Sequence, residues 1–296
     1  MKNKYVFVAV LLAVILLVGS AGTMVYVRSE ESVQTESEVT VVTSFYPMYI
    51  AALNIIGDAD TVLLENLSEP QTGCLHDYQL TAADMKLLST ADVFVVNGGG
   101  IESFLTDVAS EYPDLTIVYA CENLELEEDN AHAWMSMEDY MIQVQTIADG
   151  LAAADPARAD VYQENAAAYI TEVQELKREY ADALAGLAGQ PVILFHEAYE
   201  YVAAEFGLEV VGILDLDEER QVSAGEVADI LTLIEEYDVP FILAEELYAK
   251  DMGDRMEEET SVTVLYLDTM TRGDYEADSY LIAMRSNLEL LLSMVE

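Results

Sequence analysis

The chain has 296 residues, of which 56 are acidic and 12 are basic, so its formal net charge is −44. Such a charge repels phosphate backbones and speaks against nucleic acid as a partner. Hydrophobic residues make up 52% of the chain, which speaks against disorder over most of it and allows a core for two domains. The acidic surface suits a protein that meets cations, although it can equally serve solubility alone.

The N-terminus is typical of an exported protein. Lys2 and Lys4 precede an uncharged run at 5–27, which is long enough to span a bilayer as a helix. We therefore expect residues 1–28 to be a signal peptide or an N-terminal membrane anchor, and the polar stretch 29–38 to be a tether. This region has no cysteine for lipid attachment. Both alternatives make the rest of the chain extracytoplasmic, either secreted or anchored to the outer face of the cytoplasmic membrane.

The first half of the remaining chain alternates short apolar runs with helical patterns. Helices are predicted from Pro47, after the N-cap Thr81, and over 101–112. The strands are predicted at 39–44, 61–67, 92–100 (which ends in the glycine turn "NGGG") and 115–120. This alternation predicts a mostly parallel sheet with helices on both faces.

The same rhythm returns after a long helical region that is rich in alanine and glutamate. That region runs from Met137 to Leu187 and has one break near Pro156. An amphipathic helix at 278–295 is expected to close the second lobe. The four later strands are predicted at 191–195, 208–214, 239–244 and 262–267.

The pattern therefore predicts an α/β protein with two lobes, each with a mostly parallel sheet, joined by a long helix. The predicted divisions are an N-terminal lobe at 39–136, a linking helical region at 137–188 and a C-terminal lobe at 189–296.

The chain contains three histidines, and each follows a predicted strand or lies in a loop: His76, His132 and His196. In α/β folds such positions gather binding residues. Zinc takes three or four imidazole, thiolate or carboxylate ligands, so a fourth ligand would be an acid, a thiol or water. Asp268, at the end of the last predicted strand, is a candidate.

The two cysteines leave two alternatives open. In an exported protein Cys74 and Cys121 can form a disulfide, or they can remain free thiols. Cys74 lies two residues before His76, so a thiolate ligand is a further possibility unless a disulfide removes it.

The stretch "ILFHEAYE" at 193–200 resembles the start of a zinc-protease helix. That motif needs a second histidine four residues after His196, where the chain has Glu200. The protease interpretation fails for this reason. We expect Glu197 and Glu200 to belong to the following helix.

Several segments together resemble the zinc/manganese solute-binding proteins of metal ABC transporters, and the resemblance covers nearly all of 39–296. The segments, in the order seen in that family, are "VVTSFYPMY", "CLHDYQLT", "ADVFVVNGGG", "AHAW", "FHEAYEYVAAEFGL" and "VLYLDTM". The resemblance implies two α/β lobes joined by a rigid helix, with one divalent metal bound in the cleft between them. It also implies four metal ligands, namely His76, His132, His196 and Asp268.

On this resemblance the protein is a receptor and not an enzyme, and it delivers its metal to an ABC transporter permease. A histidine as third ligand favours Zn²⁺ over Mn²⁺ in this family, and imidazole favours zinc on chemical grounds as well. A monomer is expected. Some members of the family act in surface adhesion, for which this sequence offers no independent support.

An alternative from another class is an exported zinc hydrolase. It would use the three histidines as ligands, leave the fourth position to water and employ Glu197 as the base.

Overall fold

The computed structural model describes residues 39–59, 61–69, 71–72, 75–76, 78–126, 130–216 and 220–295. Residues Val39–Glu296 form one compact unit. The predicted signal peptide or anchor at 1–28 and the tether at 29–38 lie outside the described residues. Within the described ranges, no helix combines the length and the apolar character that crossing a membrane requires.

The first sheet contains four parallel strands in the order β2-β1-β3-β4. Thr43 at the end of β1 lies opposite Asn66 on one neighbour and Val95 on the other, which fixes the register of the three strands. The elements in chain order are β1 (Val39–Thr43), α1 (Tyr46–Ile56), β2 (Val62–Asn66), α2 (Ala82–Leu88), β3 (Val93–Val96), α3 (Leu105–Glu111) and β4 (Thr116–Tyr119).

Two long helices follow, α4 (Met137–Ala154) and α5 (Ala159–Leu184), with a short 3₁₀ turn between them. Ser136 caps α4, because its side chain accepts a hydrogen bond from the backbone N–H of Asp139 at 3.3 Å. Pro156 begins the 3₁₀ turn, which confirms the predicted break.

The second sheet repeats the arrangement of the first, with parallel strands in the order β6-β5-β7-β8. Its elements are β5 (Pro191–Leu194), α6 (Tyr199–Phe206), β6 (Glu209–Ile213), α7 (Ala224–Tyr237), β7 (Phe241–Ala244), α8 (Glu246–Glu259), β8 (Thr263–Tyr266) and α9 (Ser279–Leu292). The two-lobed α/β class predicted from the sequence is confirmed. In such sheets ligands bind beyond the carboxyl ends of the strands, where the strand order reverses.

The helix predicted at 101–112 begins later than expected, at Leu105. The reason is Glu102, whose buried carboxylate turns back and accepts hydrogen bonds from the N–H groups of Asn97 and Gly98 and from the Ser44 hydroxyl, at 2.7, 3.0 and 2.8 Å. The glycine turn that it closes has φ values of 84°, 68° and 96° at 98–100, a backbone conformation that favours glycine. Residues 101–104 therefore belong to this turn.

The two halves of the chain share one large core. Val192 and Leu194 of β5 pack in the same apolar cluster as the residues of the first sheet, whereas Ile193 packs in a second cluster with α7 and α8. The final helix, expected to close the second lobe, packs against α5 and also against α1 of the first half. Its Tyr280 stacks on Tyr140 of α4 with ring centroids 3.7 Å apart.

Candidate metal centre

Two of the predicted ligands meet directly, although 56 residues separate them in the sequence. The Nε2 atoms of His76 and His132 are 3.3 Å apart. His76 is exposed and lies between β2 and α2, whereas His132 is fully buried at the start of a 3₁₀ turn that leads into α4. The pair therefore places one imidazole nitrogen at the surface and another beneath it.

The ring of His132 is held in the tautomer that a metal requires. Asn130 Oδ1 lies 2.8 Å from Nδ1 of this ring, and as an amide oxygen it can only accept a hydrogen bond. Nδ1 therefore carries the proton and Nε2 keeps its lone pair. Burial lowers the pKa of His132 well below 6.5, and the neighbouring His196 and His76 lower it further. The imidazole is thus neutral at neutral pH.

Asn130 also joins the two halves of the chain. Its Nδ2 donates to the backbone carbonyl of Glu197 and to the carboxylate of Glu200, both at 2.9 Å, and its backbone carbonyl accepts from the Tyr201 hydroxyl at 2.7 Å. Both Nδ2 partners are acceptors, so the amide orientation is consistent with the His132 contact. The residue that orients His132 therefore fixes the loop of the second half as well.

Glu197 lies in the turn that precedes α6, which corrects its expected place in the helix; Glu200 does lie in that helix. One carboxylate oxygen of Glu197 and one ring nitrogen each of His76 and His132 all lie within 4.8 Å of one another. Among the described residues, these three side chains form the one group whose potential metal-ligand atoms lie this close together.

His196 follows β5 and packs its ring edge against His132, with centroids 5.0 Å apart. Its Nδ1 accepts the backbone N–H of Ala198 at 3.0 Å, and its Nε2 lies 4.0 Å from Glu245 Oε2. His196 is therefore adjacent to the convergent trio but is not part of it in this arrangement.

Asp268 follows β8 and is anchored from both sides. Its backbone N–H and C=O pair with the Asn287 amide at 2.8 Å each, and its Oδ1 accepts the N–H of Met270 at 2.7 Å. Although the residue reaches the surface, partial burial of the carboxyl group raises its pKa, which the Met270 hydrogen bond and the Arg272 charge oppose. Asp268 and Glu245 line one cavity of about 500 Å³.

Sequence reasoning missed Glu245, which is buried and lies 3.3 Å from the Arg272 guanidinium. A signal was present, because Glu245 directly follows β7, just as His196 and Asp268 follow β5 and β8. The second half thus brings polar groups to the carboxyl ends of three adjacent strands. Asn130 was missed as well, and its position two residues before His132 gave no indication of its contacts.

Trp134 and Cys121 have structural roles. Trp134 is fully buried, donates its Nε1–H to the carbonyl of Thr269 at 2.8 Å and packs on His132. Cys121 carries a free, buried thiol that accepts from Gln143 Nε2 at 3.1 Å. Burial raises its pKa to about 12, so the neutral thiol is the stable form. Cys74, the other candidate for a disulfide or a thiolate ligand, lies outside the described residues.

Comparison with known proteins assigns the family. The sequence model of the family described as zinc-uptake complex component A, periplasmic, matches residues 41–293. The chain belongs to this family. The manganese-binding lipoprotein MntA of Halalkalibacterium halodurans is 26% identical over 98% of each chain. The zinc-binding protein AdcA of Streptococcus pyogenes is 28% identical over 88% of this chain, which spans 57% of that longer protein.

Solved structures of solute-binding proteins share the fold of this family member. FpvC of Pseudomonas aeruginosa in complex with Ni²⁺ superposes with a TM-score of 0.76 at 30% identity, over 87% of this chain and 96% of that chain. Zn(II)-bound AdcA of Streptococcus pneumoniae gives a TM-score of 0.75 at 25% identity, over 87% of this chain and 57% of that chain. The comparisons give no support to the hydrolase alternative.

Proposed function

We propose that this protein is an extracytoplasmic receptor that captures a divalent transition metal, zinc in the first place, and delivers it to an ABC transporter permease. The observation that carries the proposal is the 3.3 Å approach of the Nε2 atoms of His76 and His132. Zinc bonds imidazole nitrogen at about 2.0–2.1 Å, so two nitrogens on one tetrahedral zinc lie roughly 3.3–3.4 Å apart. The observed separation matches that edge of the tetrahedron.

His196 and Asp268 complete the ligand set in this proposal. His196 packs against His132, and His196 and Asp268 both follow strands of the second sheet. The metal would therefore be bound by ligands from both halves of the chain. A neutral imidazole has one nitrogen lone pair, and in this structure that of His196 accepts the Ala198 N–H. We therefore infer that the His196 ring rotates when it binds the metal.

Zinc is the preferred cargo because three imidazoles suit zinc better than manganese. Relatives in the family are named for zinc and for manganese, and a structural neighbour holds Ni²⁺. These names support a divalent transition metal as the cargo. Because three of the four proposed ligands are imidazoles, Mn²⁺ ranks second to Zn²⁺. Four protein ligands leave no position for a catalytic water on a tetrahedral metal, so the proposal describes a receptor and not an enzyme. A monomer is part of the proposal as an expectation of its own.

The test is zinc affinity of the full chain, purified in detergent micelles and measured by competition with a chelating dye. Wild type should bind one zinc. Alanine at each of His76, His132, His196 and Asp268 should weaken binding by more than the roughly 10- to 100-fold that loss of an outer-shell partner costs. Asp274→Ala, an exposed aspartate six residues beyond Asp268, is the matched control and should bind as wild type. No stoichiometric zinc in wild type would overturn the proposal.

A further inference from the structure

Glu197 belongs to the second half of the chain, yet one of its carboxylate oxygens lies within 4.8 Å of a ring nitrogen of His76 and of a ring nitrogen of His132. The three potential ligand atoms lie within 4.8 Å of one another, and the Glu197 side chain is 35% exposed. The Nε2 atoms of His76 and His132 are 3.3 Å apart, a separation at which both can bind one metal ion. A carboxylate oxygen therefore lies near a metal held by this pair, where it would be a fifth ligand beside His196 and Asp268, and zinc can expand to five ligands.

The backbone of Glu197 is held in place beside this pair. Its carbonyl accepts from Asn130 Nδ2 and from the N–H of Glu200, both at 2.9 Å. Because Asn130 also holds the His132 ring, the distance between the Glu197 backbone and that ring is fixed by a single side chain. The side chain then needs a change of rotamer, and no movement of the loop, to approach a metal.

The other role open to Glu197 is to orient His132. Its Oε1 lies 3.6 Å from Nδ1 of that ring, which is too long for a hydrogen bond. Asn130 Oδ1, at 2.8 Å, already accepts the Nδ1 proton. The amide therefore fills the orienting role, and the carboxylate, which lies within 4.8 Å of a ring nitrogen of each histidine, is available as a ligand instead.

We propose that Glu197 supplies a carboxylate ligand to the metal held by His76 and His132. This inference rests on the proposed function and adds a residue to its ligand set. His132 and His196 are buried, whereas His76 and Glu197 reach solvent, so an incoming cation meets His76 and Glu197 first. With Asp268, the second carboxylate also balances the double positive charge of the metal in the cleft.

A carboxylate beside imidazoles widens the range of metals that the site accepts. Oxygen ligands suit Mn²⁺, whereas imidazoles suit Zn²⁺. Glu197 should therefore contribute more to the binding of manganese than to the binding of zinc. This difference separates a ligand from a residue that only supports the fold, because loss of support would weaken both metals alike.

The experiment compares Glu197→Gln with wild type and with Glu236→Gln, in the full chain. Glu236→Gln is the matched control, because it removes the same charge from an exposed position of α7. Zn²⁺ and Mn²⁺ affinities are measured by competition with a dye, and the visible spectrum of the Co²⁺-loaded protein reports the ligands directly. Melting of the metal-free variants shows that they are folded.

Glu197→Gln should weaken Zn²⁺ binding by about tenfold and Mn²⁺ binding by about 100-fold, and should change the Co²⁺ spectrum. Glu197→Asp should restore part of both affinities, and Glu236→Gln should match wild type. Wild-type affinities and spectrum in Glu197→Gln would overturn the inference, as would equal losses of both metals with an unchanged spectrum. Failure of wild type to bind any of the three metals would instead overturn the proposed function itself.

Discussion

Replacing Asn130 with alanine removes the side chain that joins His132 to the second half of the chain. The amide makes four hydrogen bonds: two to His132, one to the carbonyl of Glu197 and one to the carboxylate of Glu200. Neutral hydrogen bonds contribute about 1 kcal/mol each and bonds to charged groups about 1.5–3 kcal/mol. We therefore expect Asn130→Ala to lower the free energy of unfolding by roughly 4.5–6 kcal/mol.

The same change should weaken metal binding. His132 is fully buried, so its Nδ1–H would lose its acceptor and the ring would lose its fixed tautomer. Removal of a partner that orients a ligand typically lowers metal affinity 10- to 100-fold. We expect Asn130→Ala to lower zinc affinity by about 100-fold at most.

Thermal melting of the metal-free protein and dye competition for zinc measure the two effects. A loss of this size should lower the melting temperature by about 10 °C for a chain of this length. Asn165→Ala is the control, because the Asn165 amide makes one hydrogen bond, to the carbonyl of Ile55, far along the chain from the histidines. A variant at Asn130 that melts and binds zinc like wild type would refute the assigned role.

Three further predictions concern single side chains near the centre. The pKa of His132 is lower in the folded protein than in the unfolded chain, so the unfolded chain binds the proton more tightly. The contribution of this ring to stability is therefore present above pH 6.5 and is lost as pH falls below it. In thermal melts of the metal-free protein, the decrease in stability between pH 7 and pH 5 should be smaller for His132→Gln than for wild type. Cys121, with a pKa of about 12, should stay unmodified by an alkylating reagent at pH 8 until the protein unfolds, as peptide mapping would show, and modification in the native state would contradict its burial. Trp134 is the single tryptophan and its ring centroid lies 5.2 Å from that of His132, so zinc should change its fluorescence, and a silent titration of a zinc-loaded protein would argue against a metal at His132.

The strands and the linking helices could be predicted from sequence because the spacing of apolar residues and the residues that begin or end a helix are local properties of the chain. The break at Pro156 and the alternation of strands with helices are of this kind. The start of α3 could not be predicted, because Glu102 leaves the helical pattern to satisfy N–H groups at 97 and 98. That contact depends on a buried turn whose geometry no local pattern expresses.

The candidate site also has residues that could be predicted from sequence and residues that could not. The three histidines were identified because they are rare and follow strands or lie in loops. The ligand-like position of Glu197 and the contacts of Glu245 and Asn130 were not predicted. Glutamate is common in this acidic chain, and each of these residues gains its importance from a partner that is distant in sequence. Charge and composition cannot distinguish such residues from solvated ones.

The central claim is that one divalent metal binds where the Nε2 atoms of His76 and His132 converge. A crystal structure of the zinc-loaded protein, with an anomalous difference map at the zinc edge, tests it most directly. We expect one peak at about 2.0–2.1 Å from both nitrogens, with ligands from the second half of the chain around it. A peak elsewhere, or a zinc that contacts neither His76 nor His132, would contradict it.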